Sequence, residues 1–246
     1  PRLMDSTGAL LLADVPKRML IIGGGIIGLE MATVYDAMGS RVTVVEFMDR
    51  LIPSADPDIV RPLAKRIEKR YEKILLKTKV AKIEATSAGL RATFESADGT
   101  GAAPAPEIYD RVLVSVGRRP NGKAINAEAA GVLVNERGFI PVDSQRRTNV
   151  PHIYAIGDIV AGTPQLAHVA TAEGMVAMAH IAGMEATPIN KNRIPGATYT
   201  EPGIGSVGMT EAQARAKGHK VKVGKFPFMA NSKASILGQH DGFVKI

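Results

Sequence analysis

Cysteine and tryptophan are absent from this chain of 246 residues, and aromatic residues make up only 4% of it. Without cysteine the chain can form neither a disulfide nor a thiolate metal site, and cysteine-based chemistry is excluded from its own residues. The absence is compatible with a reducing compartment, and we expect a cytoplasmic location. No apolar run approaches the roughly 20 residues that a membrane span needs, so we predict no span. We also predict no metal site.

The chain is basic, with a formal net charge of +7. A basic balance can indicate nucleic acid, a membrane surface or an anionic cofactor as the partner. Lysine and arginine are dispersed, except for one cluster between Arg61 and Lys73, which we interpret as the solvated face of a helix. Because the few aromatic residues do not interleave with the basic ones, we do not expect nucleic-acid binding. The hydrophobic content of 45% is ample for a core, in one large domain or two smaller ones.

A strand–turn–helix–strand unit occurs near the start of the chain. Met19–Gly23 is a short apolar run, and Ile26–Met38 has the apolar spacing of a helix. Arg41–Glu46 is then rich in β-branched residues and ends in an acid, which is typical of a buried strand. This order predicts a parallel pair of strands joined by a helix.

The turn of this unit carries the pattern Gly23-x-Gly25-x-x-Gly28. In such a turn the first glycine permits a sharp reversal, the second lets the backbone approach a pyrophosphate, and the third allows close helix–strand packing. The helix N-terminus supplies N–H groups and a positive dipole end. Glu46, at the end of the next strand, can accept hydrogen bonds from ribose hydroxyls and would repel a 2′-phosphate, which favours NAD over NADP. The alternatives are a plain connecting turn and an ordinary strand-end acid.

Further along the chain, the pattern changes several times between helix, strand and turn. Asp56–Lys73 is predicted to be a helix that Asp56 can cap, with Pro57 in its first turn. Two strands and an Ala-Pro-rich tip at 101–106 predict a small antiparallel ribbon. Other predicted strands are 112–116, a pair within 131–142, 153–156, 198–208 and 221–228, and other predicted helices are 166–181 and 210–217.

Several ordered segments resemble the flavin-dependent pyridine-nucleotide disulfide oxidoreductases, and in particular their lipoamide branch. The first is Gly-Gly-Gly-Ile-Ile-Gly-Leu-Glu followed by Val-Val-Glu, which is similar to the family's NAD domain. Others resemble the return strand from that domain, the second flavin fingerprint, the segment beside the flavin ring and the start of the dimerisation domain. The matching segments are Gly23–Glu30, Val44–Glu46, Val112–Asn121, Thr148–Asp158, Gln165–His168, Tyr199–Pro202 and Phe226–Phe228.

The resemblance implies two cofactors, NAD and FAD, and a set of binding residues for each. Those for NAD are Gly23, Gly24, Gly25, Ile26, Ile27, Gly28, Glu30, Glu46, Val80 and Gly117. Those for FAD are Gly157, Asp158, Gln165, Leu166, Ala167 and His168. Simpler interpretations exist, because Glu30 could be a surface acid, Asp158 a turn residue and His168 a structural histidine. We assign no catalytic residue to this chain.

The resemblance also implies an α/β fold with a Rossmann-like NAD-binding domain, whose parallel sheet carries a small antiparallel ribbon. We expect a linker from a flavin domain at 1–14, the NAD-binding domain at 15–120, and a second segment of the FAD-binding domain at 121–187. The N-terminal part of an α+β dimerisation domain is expected at 188–246.

The parent enzyme of such a chain would oxidise protein-bound dihydrolipoamide with NAD⁺ through FAD and a redox disulfide. The family's flavin segment with its cysteine pair and its terminal histidine segment are not in this sequence, so we expect a fragment that is inactive alone. Expected partners of the parent are a lipoyl-bearing E2 or glycine-cleavage H protein and a second copy in a homodimer. The alternatives are another NAD(P)H–FAD disulfide reductase or an autonomous nucleotide-binding module without catalysis.

Overall fold

The computed structural model describes residues 2–101 and 103–246. Pro1 and Ala102, which belong to the predicted linker and to the predicted tip of the ribbon, lie outside the described residues. The helices are α1 (Ser6–Leu10), α2 (Ile26–Ala37), α3 (Pro57–Ile67), α4 (Ala167–Ile181), α5 (Glu211–Ala216) and α6 (Ser232–Leu237). The strands are β1 (Leu3–Met4), β2 (Arg18–Ile22), β3 (Arg41–Val45), β4 (Lys73–Leu75), β5 (Thr78–Thr86), β6 (Gly89–Ser96), β7 (Glu107–Tyr109), β8 (Arg111–Val114), β9 (Pro195–Thr198), β10 (Ile204–Val207), β11 (Lys225–Pro227) and β12 (Phe243–Lys245).

A five-stranded parallel sheet in the order β1-β8-β2-β3-β4 forms the centre of the first part of the chain. Its middle strands are buried on both faces, as near-continuous apolar runs predict. Along β2, Met19 and Ile21 pack with α2 and α3 on one face. Leu20 packs on the other face with the antiparallel sheet of β5, β6 and β7. The predicted α/β class, with its parallel sheet and antiparallel ribbon, is confirmed.

Helix α3 begins as the proline predicts, but its capping differs from the prediction. Pro57 occupies the first turn, and Asp56 has the extended backbone of an N-cap residue. The Asp56 side chain makes no capping hydrogen bond. Its carboxylate instead accepts hydrogen bonds from the Glu211 N–H at 3.1 Å and from Lys245 Nζ at 3.1 Å. Asp56 therefore occupies the predicted N-cap position of α3, but its side chain does not cap the helix, because two groups distant in sequence occupy its oxygens.

The described residues group into two compact units. The first contains the chain up to Val116 together with Gly196–Ile246, and the second is Gly117–Pro195. The range 1–14, predicted as a linker, contains β1 and α1, and the Tyr35 hydroxyl donates a hydrogen bond to the carbonyl of Ala9 in α1. The boundaries that we placed at 120 and 187 stay a prediction.

The second unit has a small apolar core around Val132, Ile140 and Val160, with α4 as its one long helix in the described chain. The predicted strand at 153–156 is reduced to one bridge between Arg147 and Tyr154, and the predicted pair within 131–142 to one bridge between Ile140 and Val160. These expectations were wrong, because each segment pairs with another part of the chain over a single bridge and no ladder extends from it. The helices predicted at 166–181 and 210–217 are present as α4 and α5.

Nowhere in the described ranges is there a helix with the length and apolarity that crossing a bilayer requires.

Candidate functional site

The glycine turn lies between β2 and α2, and on one side it packs closely against Ser115. Gly23 has φ of +111°, and its N–H donates to the Val45 carbonyl at 2.8 Å. A Cβ on Gly23 would lie 2.5 Å from the Ser115 carbonyl oxygen, and one on Gly28 would lie 2.0 Å from the Gly23 carbonyl oxygen. Only glycine fits these two positions, so the first and third glycines serve the close approach of helix and strands.

Gly25 differs from the other two, because a Cβ built there meets nothing within 4 Å. It is the N-cap residue of α2 and makes no side-chain capping bond. The first amide of the helix with an internal acceptor is that of Leu29, which donates to the Gly25 carbonyl at 3.1 Å. The amides of Ile26, Ile27 and Gly28 precede it and therefore have no acceptor within the helix. The turn thus presents bare amides beside open space.

Glu46 follows β3 and points at this turn. Its Oε2 accepts a hydrogen bond from the Gly24 N–H at 2.7 Å, and its Oε1 accepts one from the Met48 N–H at 2.8 Å. The residue is only 8% exposed. Two backbone hydrogen bonds satisfy part of a carboxylate that has about four lone-pair sites, and so the group keeps acceptor capacity for a ligand.

The other predicted NAD residues have separate surroundings. In α2, Glu30 Oε1 accepts a hydrogen bond from the Tyr199 N–H at 2.9 Å. In β5, Val80 pairs with Phe94, and the register shifts immediately after it, at Ala81. Gly117, with φ of +135°, is the first residue of the second unit, and a Cβ there meets nothing within 4 Å.

The second unit brings the first three predicted flavin residues together. Gly157, with φ of +78°, starts a short 3-10 helix that includes Asp158. The Asp158 backbone carbonyl accepts a hydrogen bond from Gln165 Nε2 at 3.1 Å, and its side chain forms an ion pair with Arg118 at 3.3 Å. Both partners of that ion pair are about half exposed. The Asp158 carboxylate is therefore accessible.

The remaining predicted flavin residues form the start of α4. Leu166 is the N-cap residue and makes no side-chain capping bond, so the first amides of the helix, including those of Ala167 and His168, have no acceptor within it. His168 Nε2 lies 2.9 Å from the Pro195 carbonyl oxygen. Since a carbonyl oxygen can only accept, this nitrogen carries a proton in that contact. The imidazole is thus used in a structural contact.

Comparison with known proteins identifies the family of this chain. Residues 1–174 match the family model for pyridine nucleotide-disulphide oxidoreductases, and residues 194–246 match the model for the dimerisation domain of the same family. The chain belongs to the pyridine nucleotide-disulphide oxidoreductase family. The resemblance inferred from the glycine, return-strand and Gly-Asp segments is thereby confirmed.

Individual relatives within this family cover the whole chain. It is 50% identical to a dihydrolipoyl dehydrogenase of Vibrio parahaemolyticus and 49% identical to one of Haemophilus influenzae, in each case over 100% of this chain and 50% of the relative. Among solved structures, the HOCl-induced flavoprotein disulfide reductase of Escherichia coli matches with a TM-score of 0.89 and 29% identity, over 100% of this chain and 55% of that one. The chain spans about half the length of the curated relatives it matches.

Two side chains that hold the turns of these sites in place were not predicted from the sequence. Ser115 follows β8, and its Oγ donates to the Ile22 carbonyl at 3.0 Å, which ties the end of β8 to the glycine turn. The signal for it was a serine directly after an apolar strand. Its partner is 93 residues away, so only the sheet order reveals the contact.

The second missed group is Glu173 in α4. It is fully buried, its Oε1 lies 3.2 Å from Arg146 Nη1, and its Oε2 accepts a hydrogen bond from the Gly157 N–H at 2.6 Å. Arg146 is 5% exposed and has φ of +71°. An acid within an otherwise small and apolar helix was the available signal. The pair anchors the turn that precedes Asp158.

The described residues contain no group of three or more histidine, aspartate and glutamate side chains placed to hold a metal ion.

Proposed function

We propose that this chain is the NAD-binding part, with a portion of the FAD site, of a dihydrolipoyl dehydrogenase. The complete protein would oxidise protein-bound dihydrolipoamide with NAD⁺ through FAD and a redox disulfide. The observation that carries the proposal is the open space at Gly25, bordered by bare amides of α2 and by the buried carboxylate of Glu46. Identities near 50% to dihydrolipoyl dehydrogenases support this member of the family over others.

The residues around Gly25 fit the diphosphate of a dinucleotide. The N–H groups of Ile26, Ile27 and Gly28 would donate to phosphate oxygens, and the positive end of the α2 dipole would stabilise their charge. Glu46 would use its remaining acceptor capacity on the adenosine ribose. Because this carboxylate is buried and already holds two backbone amides, it would not move aside for a 2′-phosphate, and NAD(H) would be preferred over NADP(H).

The predicted flavin residues fit their cofactor in a similar way. Asp158 would bind flavin-side hydroxyls in competition with Arg118, and the free amides of Ala167 and His168 would face the negative charge of the reduced ring. Leu166, whose own N–H donates to the Pro164 carbonyl at 3.0 Å, would contribute as the N-cap residue of this helix. When bound, FAD supplies the electron transfer between dithiol and NAD⁺. This chain has no cysteine, and the redox disulfide would therefore be contributed by residues outside it.

Within this proposal, Glu30, Val80 and Gly117 keep their assignments on the nicotinamide and adenine sides of NAD, and Gly157 and Gln165 theirs at the flavin. A homodimer is supported by the dimerisation-domain match over residues 194–246. A lipoyl-bearing E2 or H protein as the substrate carrier, and a cytoplasmic location, complete the proposal.

Calorimetric titration with NADH and NADPH tests the nucleotide part of the proposal. We expect NADH to bind more tightly than NADPH, and Glu46→Ala to weaken NADH binding about tenfold, since it removes the ribose acceptor and loosens the turn. Glu136→Ala, which removes an exposed acid in the second unit, should leave the affinity unchanged. Absence of NADH binding to the folded protein at millimolar concentration would refute the proposal.

The lipoyl part is tested by the reaction itself. The purified full-length protein should show a visible flavin absorption band and should reduce NAD⁺ with dihydrolipoamide as the donor. Preference for another dithiol or for NADP⁺ under matched conditions would reassign the protein to a different disulfide reductase of this family.

A further inference from the structure

A basic groove in the first unit lies apart from the residues assigned to NAD. It has a volume of about 620 Å³, which is within the range of roughly 300 to 1,000 Å³ typical of ligand sites. One wall is the basic side of α3 and the turn after it, with Arg61, Lys65 and Lys69. The opposite wall comes from the C-terminal part of the chain, with Lys225 at the start of β11 and Phe243 at the start of β12. Two acids also line the groove: Asp58, which pairs with Lys225 at 2.6 Å, and Asp241. We call it the α3 groove.

Three of its cations form no ion pair within the described chain. Arg61, Lys65 and Lys69 have no carboxylate within 4 Å among residues 2–101 and 103–246, and all three are exposed. Their basic neighbours are compensated, since Arg66 pairs with Glu201 at 3.9 Å and Arg70 with Asp36 at 2.7 Å. The cations without an ion pair are therefore Arg61, Lys65 and Lys69, which we call the stripe.

The stripe is poorly explained as a merely solvated helix face. Like charges four residues apart repel each other on a helix. The helix dipole favours Lys65, which lies in the last turn of α3, but Arg61 lies near the middle of the helix. A solvated face also needs no wall opposite it, whereas Phe243 and the start of β12 line the other side of this groove.

We propose that the α3 groove binds an extended acidic peptide segment of a partner protein. Four residues along a helix span about 6 Å, and alternate residues of an extended chain lie about 6.6 to 6.8 Å apart. Carboxylates at alternate positions of such a peptide would therefore meet Arg61 and Lys65 on α3, and the chain would continue towards Lys69 in the turn after the helix. This proposal is independent of the nucleotide and flavin assignments.

A nucleotide fits the groove less well than a peptide. A base would need an aromatic platform on which to stack, and Phe243 is the one aromatic residue among those that line the groove in the described chain. Lys225 Nζ already lies 5.0 Å from the centre of that ring. The groove thus offers positive charges that an anionic chain can contact. A base would find the face of the Phe243 ring already occupied by Lys225.

The experiment is a titration of the protein with an alternating glutamate–threonine octapeptide, followed by calorimetry and by amide chemical shifts. The test variant is Arg61→Gln, Lys65→Gln and Lys69→Gln combined. The matched control combines Lys217→Gln, Lys220→Gln and Lys222→Gln, three exposed lysines in the same unit that do not line the groove. Each triple variant removes three positive charges and lowers the net charge from +7 to +4.

We expect the groove variant to lose about tenfold or more in peptide affinity, and the control less than about threefold. Shifts should concentrate on α3 and the start of β12, and affinity should fall with rising salt. An equal loss in both variants would show non-specific charge attraction and overturn the proposal, as would absence of binding at millimolar peptide. Tripolyphosphate or a single-stranded oligonucleotide binding more tightly, with the same selective loss, would also overturn it.

Discussion

The carboxylate of Glu46 accepts a hydrogen bond from the backbone N–H of Gly24 at 2.7 Å, so the acid at the end of β3 holds the turn at the end of β2. The two residues belong to neighbouring parallel strands, and their spacing follows from the pairing of β2 with β3. Glu46 therefore has a structural task before any ligand binds. We infer that it shapes the turn and, in the proposed function, contacts the ribose from the same position.

The three motif glycines should respond differently to the same substitution. Gly25→Ala adds a Cβ in open space at an ordinary φ of −79°, so unfolding free energy should fall by less than about 1 kcal/mol. NADH affinity should nevertheless fall about tenfold or more, because the methyl group would occupy the place proposed for the diphosphate. Calorimetric titration and urea unfolding measure the two effects separately.

Gly28→Ala is the matched counterpart of that substitution. Its Cβ would lie 2.0 Å from the Gly23 carbonyl oxygen and 2.7 Å from Ser115 Oγ, so the protein should lose about 3 kcal/mol of stability by overpacking. If Gly25→Ala destabilised the protein as much as Gly28→Ala, the open space at Gly25 would not be a ligand site.

The buried pair of Arg146 and Glu173 should behave as one unit. Glu173→Ala leaves the Arg146 charge buried without its partner and the Gly157 amide without its acceptor, and should cost about 3 to 5 kcal/mol of unfolding free energy. The double variant Arg146→Met, Glu173→Met removes both charges and should be less destabilised than Glu173→Ala. Urea unfolding of Arg146→Met, Glu173→Met and their double variant measures the coupling. Additive losses would contradict the idea that the two charges compensate each other.

Stability in acid should depend on Asp58. Burial alone would raise the pKa of its carboxyl group, but hydrogen bonds from Lys225 and Lys245 outweigh it and lower the pKa to about 2. Because the folded pKa is below the ordinary 3.8, the stabilisation is complete above about pH 4 and is lost as the pH falls through about 2. We expect about 1 kcal/mol from this group, allowing for solvent screening.

The measurement for Asp58 is urea unfolding at pH 4.5 and pH 2, compared between the wild type and Asp58→Asn. Other carboxylates titrate in both proteins, so the difference between them isolates this group. The wild type should be the more stable one at pH 4.5, and the two should converge at pH 2. A constant difference across this range would mean that the contacts of Asp58 do not depend on its charge.

Local patterns in the sequence were sufficient to predict the helix and the strands around the glycine turn. The apolar run of β2, the helical spacing of α2 and the β-branched run of β3 each lie within a few residues, where periodicity reports burial directly. The motif glycines and Glu46 come from the same stretch. In the second unit, the short apolar runs at 131–142 and 153–156 predict strands, and periodicity alone could not show that only isolated bridges form there.

The amino-acid sequence by itself determined the Rossmann-like unit, the family and the order of its segments, because these depend on short-range spacing. Only the tertiary structure decided which side chains hold these segments in place. Ser115 meets Ile22 across 93 residues, Glu173 meets Arg146 across 27, and Lys245 meets Asp56 across 189. Such contacts arise from strand order and helix packing, which bring together side chains that no local pattern relates.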